Sequence, residues 1–135
     1  MSKGKILIVD DDEVCRLYFR DLFLREGYSV IICDNGLQAI QCFKTDRPDV
    51  VLMDVRMPNI SGNKTLKLMK SIDCKVPIVM MSAYTTVDVV VKCMKLGAEN
   101  MLKKPGDIEK VIRVIDHDIK NSTIAVIQKP ITPVE

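Results

Sequence analysis

No apolar run in this chain approaches the roughly 20 residues that span a bilayer, so no membrane segment is expected. Residues 1–5 lead straight into a strand-like run rather than a secretory leader, and the expected location is the cytoplasm. The five cysteines, Cys15, Cys33, Cys42, Cys74 and Cys93, are odd in number, widely spaced and without a C-x-x-C pair. That spacing argues against a disulfide framework or a zinc knuckle and predicts reduced, mostly packed thiols. No single sign of charge dominates: a net charge of +2 with both signs interspersed disfavours direct nucleic-acid binding. The one histidine, His117, lies between Asp116 and Asp118 on the polar side of the last expected helix without a cysteine or carboxylate motif of metal-ligand spacing, and reads as a solvated side chain. There is no internal repeat, low-complexity tract or Gly/Ser linker.

What is present is a rhythm. At 135 residues and 47% hydrophobic content the chain fits one core. Short apolar runs alternate with helical periodicity from residue 5 to about residue 120. Strands are expected at Lys5 to Asp10, Ser29 to Cys33, Val50 to Asp54, Ile78 to Ser82 and Asn100 to Leu102, with five helices in βα order. The class is α/β with a parallel sheet, and continuously apolar strands imply helices on both faces. The first helix presents Cys15, Tyr18, Phe19, Leu22 and Phe23 on one side, and the last presents Ile108, Val111, Ile112, Ile115 and Ile119; both sides are expected to be buried. The valine-rich stretch from Thr86 to Met94 is read as helix, because Val87, Val90, Val91, Met94 and Ala98 fit one stripe. Met53, Met80, Met81 and Met94 read as core filler. Residues 1–120 form the domain; 121–135 change character and admit three readings: an extra edge strand, a segment docking on a partner, or a disordered end.

Chemistry collects at the strand ends. Asp10 and Asp11 close the first apolar run and Asp54 the third, Ser82 closes the fourth strand, and Lys104 follows the fifth. Carboxyl ends of parallel strands open onto one edge, where ligands of open α/β sheets bind. At about 4 Å and an effective dielectric of about 20, each carboxylate pair repels by roughly 4 kcal/mol, which a bound divalent ion relieves. Singly, Asp12 reads as the N-cap of the first helix, Asp10 or Asp11 as another such cap, Asp54 as a turn residue and Lys104 as a surface lysine. Jointly they supply a nucleophile, a metal site, a hydroxyl donor and a counter-charge, the requirements of a phosphoryl group on a carboxylate. Magnesium suits such an oxygen-only set better than zinc or calcium.

Over about residues 4–120 the chain resembles the receiver domains of two-component response regulators, of the stand-alone chemotaxis or sporulation type. The resemblance rests on Ile6-Leu7-Ile8-Val9-Asp10-Asp11-Asp12, on Met53-Asp54-Val55-Arg56-Met57-Pro58, on Ser82-Ala83, and on Lys104-Pro105. It implies a flavodoxin-like, doubly wound sheet of order 2-1-3-4-5. It further implies Mg2+ held by Asp10, Asp11, Asp54 and the Arg56 carbonyl, and Asp54 as acceptor of a phosphoryl group from a phosphohistidine. The donor is a sensor histidine kinase or a histidine phosphotransfer protein, and the output goes to a downstream protein target from a monomer or weak homodimer. Lys104 and the Ser82 hydroxyl bind the phosphoryl oxygens, and movement of Ser82 biases the loops and the fourth helix. Such a chain catalyses only its own phosphorylation and dephosphorylation.

Departures from the family pattern bear on output. Met101 stands where many receivers carry a swinging Tyr or Phe, and Gly106 where Phe is usual, beside Pro105, whose preceding bond is often cis in the family. By the same resemblance, Arg56 and Tyr84, two beyond Asp54 and Ser82, occupy positions that in this family govern phosphoryl lifetime by gating attacking water, and their bulk implies a longer-lived phosphorylated state. The enzyme alternative is a magnesium-dependent phosphohydrolase of the haloacid dehalogenase type. That group requires Asp-x-Asp, whereas Arg56 stands two residues beyond Asp54.

Overall fold

A computed structural model describes residues 2–83, 85–104 and 108–128, of which 108 and 121–128 enter as backbone alone. The elements alternate strictly: β1 (Lys5–Val9), α1 (Glu13–Arg25), β2 (Ser29–Cys33), α2 (Gly36–Asp46), β3 (Val50–Asp54), α3 (Gly62–Ile72), β4 (Ile78–Ser82), α4 (Val87–Lys95), β5 (Asn100–Lys103) and α5 (Ile108–Gln128). All neighbouring strands are parallel, in the order β2-β1-β3-β4-β5.

Alternate side chains of the central strands enter two separate cores. Leu7, Val9, Val51, Met53, Ile78 and Met80 pack on Phe43 of α2, Leu66 and Met69 of α3 and Cys93 of α4. Ile6, Ile8, Val50, Leu52, Val79 and Met81 pack on Phe19 and Phe23 of α1 and Val111, Ile115 and Ile119 of α5. Burial on both faces explains why β1, β3 and β4 read as unbroken apolar runs. Helix starts follow local chemistry: Asp12, Asn35, Ser61 and Thr86 stand at the N-caps and accept from Val14, Gln38, Lys64 and Val89 N–H respectively.

Four expectations are corrected. On α4, Val87 is 77%, Val91 43% and Met94 46% exposed; the inward stripe is Val89, Cys93 and Leu96. Both sides of this helix are apolar, so periodicity alone chose the wrong one. On α1, Tyr18 points outward at 42% exposure, while Phe19 and Phe23 are buried. On α5, His117 is exposed as expected, but its neighbour Asp118 is buried. Finally, α5 runs on to Gln128, so Ile124 to Ile127 lie on helical backbone rather than on an edge strand. No Gly or Pro interrupts this segment before Pro130.

Asp118 meets His117 Nδ1 through Oδ1 at 3.5 Å, and its Oδ2 has no hydrogen-bond partner among the described residues. Burial pushes this carboxyl above its ordinary range. A raised carboxyl favours the folded state at low pH and loses that contribution as pH rises through the folded value. Asp118→Asn is therefore expected to raise the melting temperature at pH 7. The gain should disappear below the ordinary carboxylate range, which parallel thermal melts across pH will show.

Candidate phosphoryl-acceptor site

Strand register builds the site. β1 and β3 pair Val9 with Met53, which sets Asp10 and Asp54 side by side one residue further on. β3 and β4 pair Asp54 with Met81, leaving Ser82 one step beyond, and Ser82 pairs with Lys103 of β5. The strand ends are then tied across the loops: Asp10 N–H donates to the Cys33 carbonyl (3.1 Å), Val55 N–H to the Met81 carbonyl (2.9 Å) and Lys104 N–H to the Ser82 carbonyl (2.8 Å). Oxygens of Asp10, Asp11 and Asp54 lie within 4.8 Å of one another.

Lys104 Nζ reaches into this cluster, 2.5 Å from Asp10 Oδ2 and 3.4 Å from Asp54 Oδ2. Part of the carboxylate repulsion that a bound ion would relieve is already relieved by this ammonium from the end of β5. Asp10 is completely buried. Its Oδ1 accepts the Asp12 N–H at 3.0 Å, and its carbonyl accepts from Arg16 Nη1 at 2.8 Å. Asp54, 8% exposed, accepts the Arg56 N–H on Oδ1 at 3.3 Å. Both of its contacts are long, which leaves lone pairs free, whereas the tight contact of Lys104 goes to Asp10. Asp11 is exposed at the rim.

The electrostatics follow from this placement. Burial pushes the Asp54 carboxyl up; Lys104 opposes that, and Asp10 adds to it. Burial pulls the Lys104 ammonium down, but its hydrogen bond to Asp10 and the charges of Asp10 and Asp54 outweigh this and hold it above its ordinary value. The ammonium therefore stays charged at neutral pH. Because the Asp54 carboxyl is raised, its charged form costs stability, a cost that grows as pH rises above the ordinary carboxylate range. Asp54→Asn is expected to raise the melting temperature of the metal-free protein at pH 7. Magnesium should then stabilise the variant less than the parent; equal magnesium responses in the two melts would contradict the clustering.

Of the residues singled out in the sequence, Asp10, Asp11, Asp54 and Lys104 meet directly, and Ser82 lies at the same edge, 1% exposed. Arg56 and Ala83 are exposed on the adjoining loops. Met101 pairs with Met80 and packs half-buried on the core. Tyr84, Pro105 and Gly106 lie outside the described residues. Two contributors escaped the sequence reading. One is Arg16, whose guanidinium braces the Asp10 carbonyl six residues earlier. The other is Gly62 at the start of α3, whose N–H donates to the Val55 carbonyl at 2.8 Å. A Cβ at Gly62 would overlap the Asp54 carbonyl oxygen and come within 2.8 Å of Val55 Cα. Only close approach across the fold reveals that role.

The oxygen-only donor set, three carboxylates with one ammonium beside them, fits magnesium. The second acid of the haloacid dehalogenase pattern is missing from its place, since Arg56, two residues beyond Asp54, is an exposed base.

Comparison with known proteins agrees with this geometry. The chain is 39% identical over 111 residues to Sporulation initiation phosphotransferase F of Bacillus subtilis (strain 168), covering 82% of this chain and 90% of that protein. It is 34% identical over 113 residues to Chemotaxis protein CheY of the same organism, covering 83% and 94%. Regulatory protein AtoC of Escherichia coli (strain K12) is 34% identical over 117 residues, 87% of this chain, but only 25% of AtoC is spanned. Among solved structures, the signal receiver domain of a LuxO repressor protein from Vibrio parahaemolyticus superposes with a TM-score of 0.87 at 22% identity, covering 92% and 95% of the two chains. The family model described as response regulator receiver domain matches residues 6–116, and the chain belongs to that family.

Proposed function

We propose that Asp54 is the phosphoryl acceptor and that Asp10, Asp11, Asp54 and the Arg56 carbonyl hold Mg2+. The observation that carries this reading is Lys104 Nζ set against both Asp10 and Asp54, a cation already aimed at the place where phosphoryl oxygens would gather. A carboxylate oxygen of Asp54 attacks phosphorus, the bond to the donor imidazole breaks, and the electron pair leaves with the imidazole. The resulting acyl phosphate is bound by Lys104 and the Ser82 hydroxyl. Magnesium held by Asp10, Asp11, Asp54 and the Arg56 carbonyl would neutralise charge on the transferred group.

Because the Lys104 N–H is tied to the Ser82 carbonyl, drawing either side chain toward the phosphoryl group pulls on β4 and β5 together. Met101, half-buried on β5, fills whatever gap that movement opens, Ala83 follows Ser82 in the switching segment, and the sequence positions of Arg56 and Tyr84, two beyond Asp54 and Ser82, assign them to setting the lifetime of the phosphoryl group. The donor is a sensor histidine kinase or a histidine phosphotransfer protein and the receiver of the signal is a protein. The likeness to a sporulation phosphotransferase and to a chemotaxis protein, each matched over nine-tenths or more of its length, supports a receiver acting through partners in the cytoplasm. No helix among the described residues is long and apolar enough to cross a membrane.

A phosphorylated donor protein or a small acyl phosphate, supplied with magnesium, tests this. The expected result is one phosphoryl group per chain, labile to both acid and base and formed only with the divalent ion. Many turnovers of a small phosphate ester would instead indicate a hydrolase.

A further inference from the structure

Outside the acid cluster, the fold brings together two residues that the sequence leaves nine apart. Cys33 ends β2 and Cys42 lies one turn from the end of α2, and their Sγ atoms are 3.3 Å apart, both thiols free. The surroundings differ. Cys33 is 2% exposed in the α2–α3–α4 core, whereas Cys42 is half-buried at its margin. We infer that Cys33 and Cys42 form a redox modification site, in which a hydroperoxide converts the dithiol to an intramolecular disulfide.

The sulfurs need to close only from 3.3 Å to about 2.05 Å, a movement within the reach of side-chain rotation and a small shift of α2. Cys42, the thiol that reaches solvent, reacts first: the peroxide O–O bond breaks, one oxygen passes to Cys42 Sγ, and an alcohol or water leaves. Cys33 Sγ then displaces that oxygen from the sulfenic acid, and its own proton departs with it as water. The two sulfurs together give up the two electrons that reduce the peroxide.

The site does not stand apart from the acid pocket. The Cys33 carbonyl accepts the Asp10 N–H at 3.1 Å, so one of the two residues joined by the disulfide also holds the main chain of the buried aspartate. The remaining cysteines have no such partner: Cys15 donates to Asp12 Oδ2, Cys93 to Asn63 Oδ1, and Cys74 is exposed.

The test uses the full chain carrying Cys74→Ser, to remove the exposed thiol, treated with hydrogen peroxide, blocked with a maleimide and digested for mass spectrometry. The expected product is a cross-linked peptide pair joining residues 33 and 42, lost on reduction and absent from a Cys42→Ser companion that melts normally. Titration of the oxidised protein should show magnesium bound about tenfold more weakly, the low end of what partners behind a metal's ligands control. Cys33 and Cys42 both remaining open to maleimide after peroxide, or Cys42 passing on to a sulfinic acid with Cys33 unlinked, would overturn the site. The magnesium effect alone rests on the pocket reading above, and the two fail separately. A disulfide formed with unchanged magnesium affinity overturns the coupling and leaves the site.

Discussion

Asp54→Asn protein, mixed with a phosphorylated donor and magnesium, takes up label only at background level, while the parent takes up one phosphoryl group per chain. The amide matches the carboxylate in shape and can still receive the Arg56 N–H on its oxygen, so β3 and its loop keep their course. What is lost is the nucleophile, because an amide oxygen is neutral and far less basic. Ser82→Ala provides the contrast: its hydroxyl is assigned to binding the product, so labelling persists while the response of a partner weakens. Lys104→Ala removes the ammonium set against Asp54, and loss of a single charge-stabilising donor slows group transfer by about 10²-fold. Label retained on the Asn variant would move the acceptor elsewhere.

Gly62→Ala is expected to destabilise the domain by about 3 kcal/mol, at the upper end of ordinary overpacking costs. For a domain of this size that corresponds to roughly 10 °C in melting temperature. The atoms in the way are the Asp54 carbonyl oxygen and the Val55 Cα and carbonyl, all main chain, so no rotamer change makes room. α3 must withdraw from the end of β3, and the segment it presses against carries Asp54. The variant should therefore also label more slowly than the parent at temperatures where it remains folded. Gly97→Ala serves as the comparison. It introduces a side chain at φ 102°, a backbone strain of about 1–2 kcal/mol, beside the aliphatic part of Lys70 and away from the acids. It should lower the melting temperature less and leave labelling untouched. Equal losses in the two alanine variants would show that Gly62 has no special bearing on the acceptor loop.

The contrast between those two glycines marks where sequence reasoning reaches its limit. Strands β1, β3 and β4 were legible because a parallel strand covered on both faces is apolar at every position, and because polar residues then mark its end. Thus Asp10, Asp54, Ser82 and Lys104 could be placed at one edge from pattern alone. Strand order came from resemblance to a family, not from periodicity. The facing of α4 was missed because valine, cysteine, methionine and leucine occupy two of its sides. Only the packing of Val89, Cys93 and Leu96 against the sheet distinguishes them. The burial of Asp118 was missed because acidic residues flank the exposed His117 and the trio reads as one polar side. The Gly62 contact and the pairing of Cys33 with Cys42 depend on where helices settle on the sheet, which no local signal encodes.

Counting formal charges at the strand ends gives one last consequence. Among the described residues, the three clustered aspartates and Lys104 together carry a formal charge of −2. A single dication restores the balance, whereas sodium or potassium at the same spot would leave a residual deficit. Valence as well as ionic radius therefore enters the selection of the ion, and raising monovalent salt should compete poorly for the rim even where it screens the surface lysines well.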